Sequence, residues 1–143
     1  MVSDEHWRGW IAKHCWDLYS VVTSNFTVDY ESYEKFCDIV PKVPDAGLFR
    51  VSIEFESAHV LEIREEYERK EHTVEVVNYS YVLREKTGKN ILRADTEGRH
   101  PIDHMGHELP NPPHHLHDEQ DRICYFTGQF NDFVERAKHS STR

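Results

Sequence analysis

Between Gly47 and Asp95 the chain alternates apolar and polar residues with a period of two, and this run decides the fold class. Phe49, Val51, Ile53 and Phe55 alternate with Arg50, Ser52, Glu54 and Glu56, as in a strand with one buried face. A second strand is expected over 59–67, with Leu61 and Ile63 inward and Glu62 and Arg64 outward. The β-branched and aromatic stretch 73–84 reads as a long central strand. Lys86-Thr87-Gly88-Lys89-Asn90 is a hairpin turn returning into 91–95. Strands joined this closely form an antiparallel meander.

Helical signals flank the run. Ser3 followed by Asp4 and Glu5 offers a capping oxygen and acids at the positive end of a helix. Trp7, Trp10, Ile11, His14, Cys15, Leu18 and Tyr19 then fall three and four apart, predicting a helix over 4–20 that packs on the sheet. The β-branched residues after Tyr19 are expected to end it. Residues 25–46 fit a strand and a helix equally, with Pro41 and Pro44 closing the segment. A short strand at 122–126 and a helix at 128–139 (Phe130, Phe133, Val134, Ala137) complete the chain, with a frayed tail from His139. The expected fold is α+β: an antiparallel meander of four to six strands, its two terminal helices on one face. Residues 1–143 are read as one domain, since the length suits a single core burying about two-thirds of the unfolded surface.

Charge narrows the partners. Twenty-six acids against 17 Lys and Arg give a net charge of −9, so long-range attraction to a phosphate backbone is not the design, and any nucleic acid must be met at a local site. Cys15, Cys37 and Cys124 are odd in number and far apart, which argues against a disulfide framework or a Cys-rich zinc site. The first residues carry neither a basic region nor an apolar run, and no stretch has the length of a membrane span. A cytosolic protein with no membrane partner is expected.

After Asp95 regular patterning stops for over twenty residues, and long loops in compact domains are usually functional or disordered. Six of the 11 histidines fall within the 18 residues from His100 to His117: His100, His104, His107, His114, His115 and His117. They follow directly on strand residues Arg93 and Asp95. One reading is acid–base cleavage of a phosphodiester without metal. One imidazole takes the 2′-hydroxyl proton, a protonated one serves the leaving oxygen, Arg93 stabilises phosphoryl charge and Asp95 fixes an imidazole tautomer. A second reading is a divalent metal held by His115 and His117, with Asp95 or His100 as a further ligand. The third is bland: solvated loop histidines, the ordinary fate of single ones such as His6, His14, His59, His72 or His139. Tyr79 and Tyr81 offer rings for stacking a base, though packing is the commoner role for such residues. The charges of 54–71 read as solvated strand faces and turn.

The ordered set Tyr79-Ser80-Tyr81, Arg93-Ala94-Asp95 and Pro113-His114-His115-Leu116-His117, with Gly47-Leu48-Phe49-Arg50 opening the sheet, resembles the TumE-like toxins of prokaryotic toxin–antitoxin pairs. The resemblance covers roughly residues 47–120. Ala94 stands where the family usually has Tyr, Thr96 where it has Asn and Leu116 where it has Lys, while His100-Pro101 approximates a Pro-His element. The resemblance implies a growth-inhibiting toxin, possible ribonuclease activity, and a cognate antitoxin of the helix-turn-helix class. The candidate catalytic set is Arg93, Asp95, His100, His114, His115 and His117, with Tyr79 and Tyr81 toward substrate. No cofactor is expected unless a divalent metal sits at His115 and His117. The alternatives are a non-catalytic interaction module, or a toxin relative without activity, and a metal-dependent hydrolase.

Overall fold

The computed structural model describes residues 2–31, 38–43, 45–96, 102–109 and 114–141; of 38–43 and of residue 141 it describes the backbone only. Among the described residues, helix α1 (Asp4–Asn25) precedes seven strands: β1 (Asp38–Val43), β2 (Ala46–Glu54), β3 (His59–Arg69), β4 (Val74–Glu85), β5 (Asn90–Asp95), β6 (His115–His117) and β7 (Ile123–Tyr125). Helix α2 (Phe130–Ser141) closes the fold. The strands lie in one sheet in chain order, every neighbouring pair antiparallel. The α+β class and the meander are as the sequence predicts.

Differences from the expected elements have local causes. Helix α1 begins at its expected cap, the Ser3 hydroxyl accepting from the His6 N–H at 3.1 Å. It runs five residues past Ser20 because Val22 is buried in the core, and the Thr23 hydroxyl and Asn25 amide bond back to the Tyr19 and Val21 carbonyls. Burial of the apolar face outweighs the weak helix propensity of Val and Thr. The ambiguous 25–46 segment contains edge strand β1. Pro41 lies inside β1 rather than closing the segment, which an edge strand tolerates because one side of its ladder makes no bonds. Strand β6 was hidden by its length: three residues carry no periodic signal. Helix α2 continues through His139, where a frayed tail was expected.

Pairing register fixes what each sheet face carries. Val51, Ile63, Tyr81, Ala94 and Leu116 lie across from one another in turn, as do Ile53, Leu61, Leu83 and Leu92. Both helices cover this face: the Trp10 ring meets Tyr67 edge-on at 5.4 Å, and Phe130 meets Tyr81 at 5.0 Å. The core between sheet and helices holds Trp7, Leu18, Val22, Phe130, Phe133 and Ala137 among its buried residues. The opposite face carries two polar rows, Arg50-Arg64-Ser80-Asp95-His115 and Ser52-Glu62-Val82-Arg93-His117. No described helix is long and apolar enough to cross a membrane.

Candidate active site

The register that builds the second face brings four of the sequence-predicted residues together. Arg93 pairs with His117 and Asp95 with His115 across β5 and β6. The Asp95 carboxylate lies between two cations or potential cations, with Oδ2 3.3 Å from Arg93 Nε and Oδ1 3.3 Å from His115 Nε2. The His115 and His117 rings meet edge-on at 5.0 Å. His117 Nδ1 lies 2.9 Å from Asp121 Oδ1, so a neutral His117 donates from Nδ1 and keeps its basic lone pair on Nε2. Burial, followed by the nearby Arg93 and His115, lowers the His117 pKa, and Asp121 opposes this only in part. The exposures differ sharply: His115 is 1% exposed, whereas the Arg93 side chain is 39% exposed. His115 is therefore enclosed, and Arg93 is the member of the four most open to solvent.

His114, one residue earlier, belongs to the helix side. Its Nδ1 lies 2.7 Å from the Tyr79 hydroxyl, and the two rings are nearly parallel, with centroids 5.7 Å apart. Tyr79 stacks in turn on Tyr81 at 4.8 Å. Gly128 closes on the imidazole from the loop before α2, where a Cβ would stand 2.8 Å from Nδ1. Burial, and then the neighbouring His115, lowers the His114 pKa and favours the neutral ring. Burial likewise raises the Tyr79 pKa, with Asp95 adding to it, so the phenol keeps its proton.

His114, Tyr79 and Tyr81 line a cleft of about 410 Å³ between α1, α2 and the sheet, within the usual size range of small-ligand sites. Its wall also carries His14, Asp17 and Glu65. Glu65 corrects the expectation that the 54–71 charges are solvated: it is 2% exposed. Its Oε1 accepts from Tyr67 at 2.9 Å and meets His14 Nε2 at 2.7 Å, while Oε2 accepts from Tyr81 at 2.5 Å. A buried carboxylate needs such partners to offset its desolvation. The sequence reading gave His14 the ordinary fate of a single histidine and Glu65 that of a solvated charge, although period two from Leu61 and Ile63 put Glu65 on the inward face and His14 stood on the apolar stripe of α1.

The remaining candidates fall elsewhere. His100 lies outside the described residues. His104 and His107 sit on an exposed turn in which Asp103 accepts from the backbone N–H groups of Met105 and His107, so the bland reading suits them. Among the described residues no group of three or more His, Cys, Asp or Glu is placed to hold a metal ion. Ala94 and Leu116, two departures from the family pattern, lie opposite one another in the core beneath the helices. Neither changes the polar rows of the other face.

A family model described as Toxin TumE matches residues 27–139, which leaves out the whole of α1 and with it His14. No curated protein and no solved structure matches the chain.

Proposed function

This chain belongs to the TumE toxin family, and on that premise we propose that it arrests growth by cleaving RNA in the cleft beside His114. Membership makes it the toxin of a toxin–antitoxin system, with an antitoxin as its partner. The helix-turn-helix class of that antitoxin and the RNA substrate are part of the proposal.

One observation carries the ribonuclease reading: an imidazole held between Tyr79 and Gly128 lines a cleft of small-ligand size. With Nδ1–H donated to the Tyr79 oxygen, His114 keeps a lone pair on Nε2 and serves as the base toward a ribose 2′-hydroxyl. The proton on Nδ1 is then held by Tyr79 as charge develops on the ring. Behind it, the Arg93–Asp95–His115 group ties β5 to β6, the strand that begins one residue after His114. In this account Arg93, Asp95 and His115 are positioning residues. Tyr79 and Tyr81 form the wall against which substrate lies.

A second reading places the RNA on the other sheet face, at Arg93 and His117. The exposure of Arg93 favours it, and so does the presence of Arg50, Arg64 and Arg84 on the same face. Much of that positive charge is already engaged, since Arg64 and Arg84 pair with Glu66 and Glu62 at 2.6 and 2.8 Å.

Induction in a bacterial host decides between them at equal soluble yield. The cleft account expects wild-type protein to arrest growth and degrade cellular RNA, and His114→Ala to do neither. Arrest with intact RNA would refute the ribonuclease reading. Loss of RNA cleavage in His117→Ala but not in His114→Ala would move the site to the other face.

A further inference from the structure

The cleft contains a second imidazole. His14, from α1, lines it together with His114, which stands one residue before β6. Its Nε2 lies 2.7 Å from the Glu65 carboxylate, which also accepts from Tyr67 and Tyr81. A carboxylate can only accept, so His14 Nε2 carries a proton and Nδ1 alone is left for a ligand. The ring is held flat on Trp10, with centroids 4.7 Å apart and an interplanar angle of 11°, and edge-on to Tyr67 at 5.5 Å. Its side chain is 27% exposed, so this fixed ring still meets solvent. A histidine serving only to satisfy Glu65 would have no need to open into a cleft shared with another imidazole. The acids that line the cleft are accounted for: Asp17 on the same helix pairs with Lys13 at 2.8 Å, and Glu65 faces His14 from β3.

We infer that His14 is the general acid of the cleft, held by Glu65, and that it works with His114 on a phosphodiester of RNA. This rests on the ribonuclease reading above. The ribose 2′-oxygen gives its proton to His114 Nε2 and forms a bond to phosphorus. The bond from phosphorus to the 5′-oxygen breaks, and that oxygen takes the Nδ1 proton of a doubly protonated His14, which is left neutral with its Nε2–H still on Glu65. The products are a 2′,3′-cyclic phosphate and a 5′-hydroxyl, with no water, metal or oxidant consumed. Glu65 is a positioning residue, orienting the acid without touching substrate.

Two substrates test the assignment on the purified full-length chain. From a diribonucleotide the leaving group is a nucleoside 5′-alkoxide, which needs the acid, whereas from a ribonucleoside 3′-(4-nitrophenyl phosphate) it is 4-nitrophenolate, which does not. His14→Ala is expected to lower kcat about 100-fold or more on the first, within the range of general acid catalysis, and to leave the second near wild type. His14→Gln, which retains an N–H donor for Glu65, should behave the same and guards against loss of folding. His114→Ala should lose both. Equal loss on both substrates in the His14 variants would make His14 structural and overturn the assignment, as would wild-type rates on the diribonucleotide. If wild-type protein cleaves neither substrate, the ribonuclease reading falls and the acid role falls with it.

Discussion

Gly128 and His114 are in a contact that only glycine permits. Gly128 adopts φ +83°, and a Cβ built there would meet the imidazole at 2.8 Å from Nδ1 and 2.9 Å from Cε1. Backbone sterics and side-chain position are thus solved by the same residue. Gly128→Ala is expected to cost roughly 1–2 kcal/mol from the left-handed backbone alone and to push the ring off Tyr79. Thermal melting would show the first effect. The imidazole carbon-bound proton shifts of His114 would show the second, and an unmoved His114 resonance would contradict the clamp.

Glu65 joins α1 to the sheet through hydrogen bonds as well as packing. Glu65→Leu would leave the Tyr67 and Tyr81 hydroxyls without their acceptor, at about 1–3 kcal/mol for each buried group stranded. Glu65→Gln retains a carbonyl acceptor and should cost less. Urea unfolding of the two variants checks the order; equal stability of wild type and Glu65→Leu would contradict the buried network.

The lowered pKa values of His114 and His117 have a definite sign for stability. Both are displaced downward mainly by burial, so between the folded and unfolded values the unfolded chain binds more protons. The stabilisation is fully present above the unfolded value of about 6.5. It is lost as pH falls through the folded values. Unfolding midpoints should therefore decline from pH 7 toward pH 5, and His117→Asn should flatten that decline. A midpoint that rises on acidification would contradict the direction.

Asp95 is expected to matter more for structure than its partly exposed partner Arg93. Asp95→Asn removes the charge facing both Arg93 and the enclosed His115, with a loss of roughly 1–3 kcal/mol. Arg93→Ala leaves Asp95 with His115 and should cost less, because the Arg93 side chain is partly exposed whereas His115 is enclosed. Thermal melts of the two variants at pH 7 would reverse this order if Arg93 were the anchor.

The sheet was legible in the sequence because β2 to β5 are long and alternate cleanly, and α1 because its stripe of Trp7, Trp10, Leu18 and their neighbours repeats at helical spacing. Strand β1 was not, since Pro41 reads as a breaker and its place at the sheet edge is a tertiary fact. The His115–His117 strand was not legible, since three residues carry no periodic signal, and only register with Arg93 and Asp95 brings the two side chains to one face. What local pattern could not convey is partnership between distant stripes. His14 and Glu65 each interrupt an apolar row, 51 residues apart, and only packing α1 on β3 turns two exceptions into one hydrogen-bonded pair. His114, just before β6, meets Tyr79 on the helix side, whereas His115 pairs with Asp95 on the other face, and both partners lie on strands distant in sequence.

The most direct test of the central claim is cleavage of a single-stranded RNA by the purified chain, with and without chelator, against His114→Ala and a 2′-O-methyl copy of the substrate. The account predicts cleavage by wild type alone, indifferent to chelator, ending in 2′,3′-cyclic phosphates and absent on the methylated copy. Cleavage that persists in His114→Ala, or that proceeds on the 2′-O-methyl RNA, would contradict it.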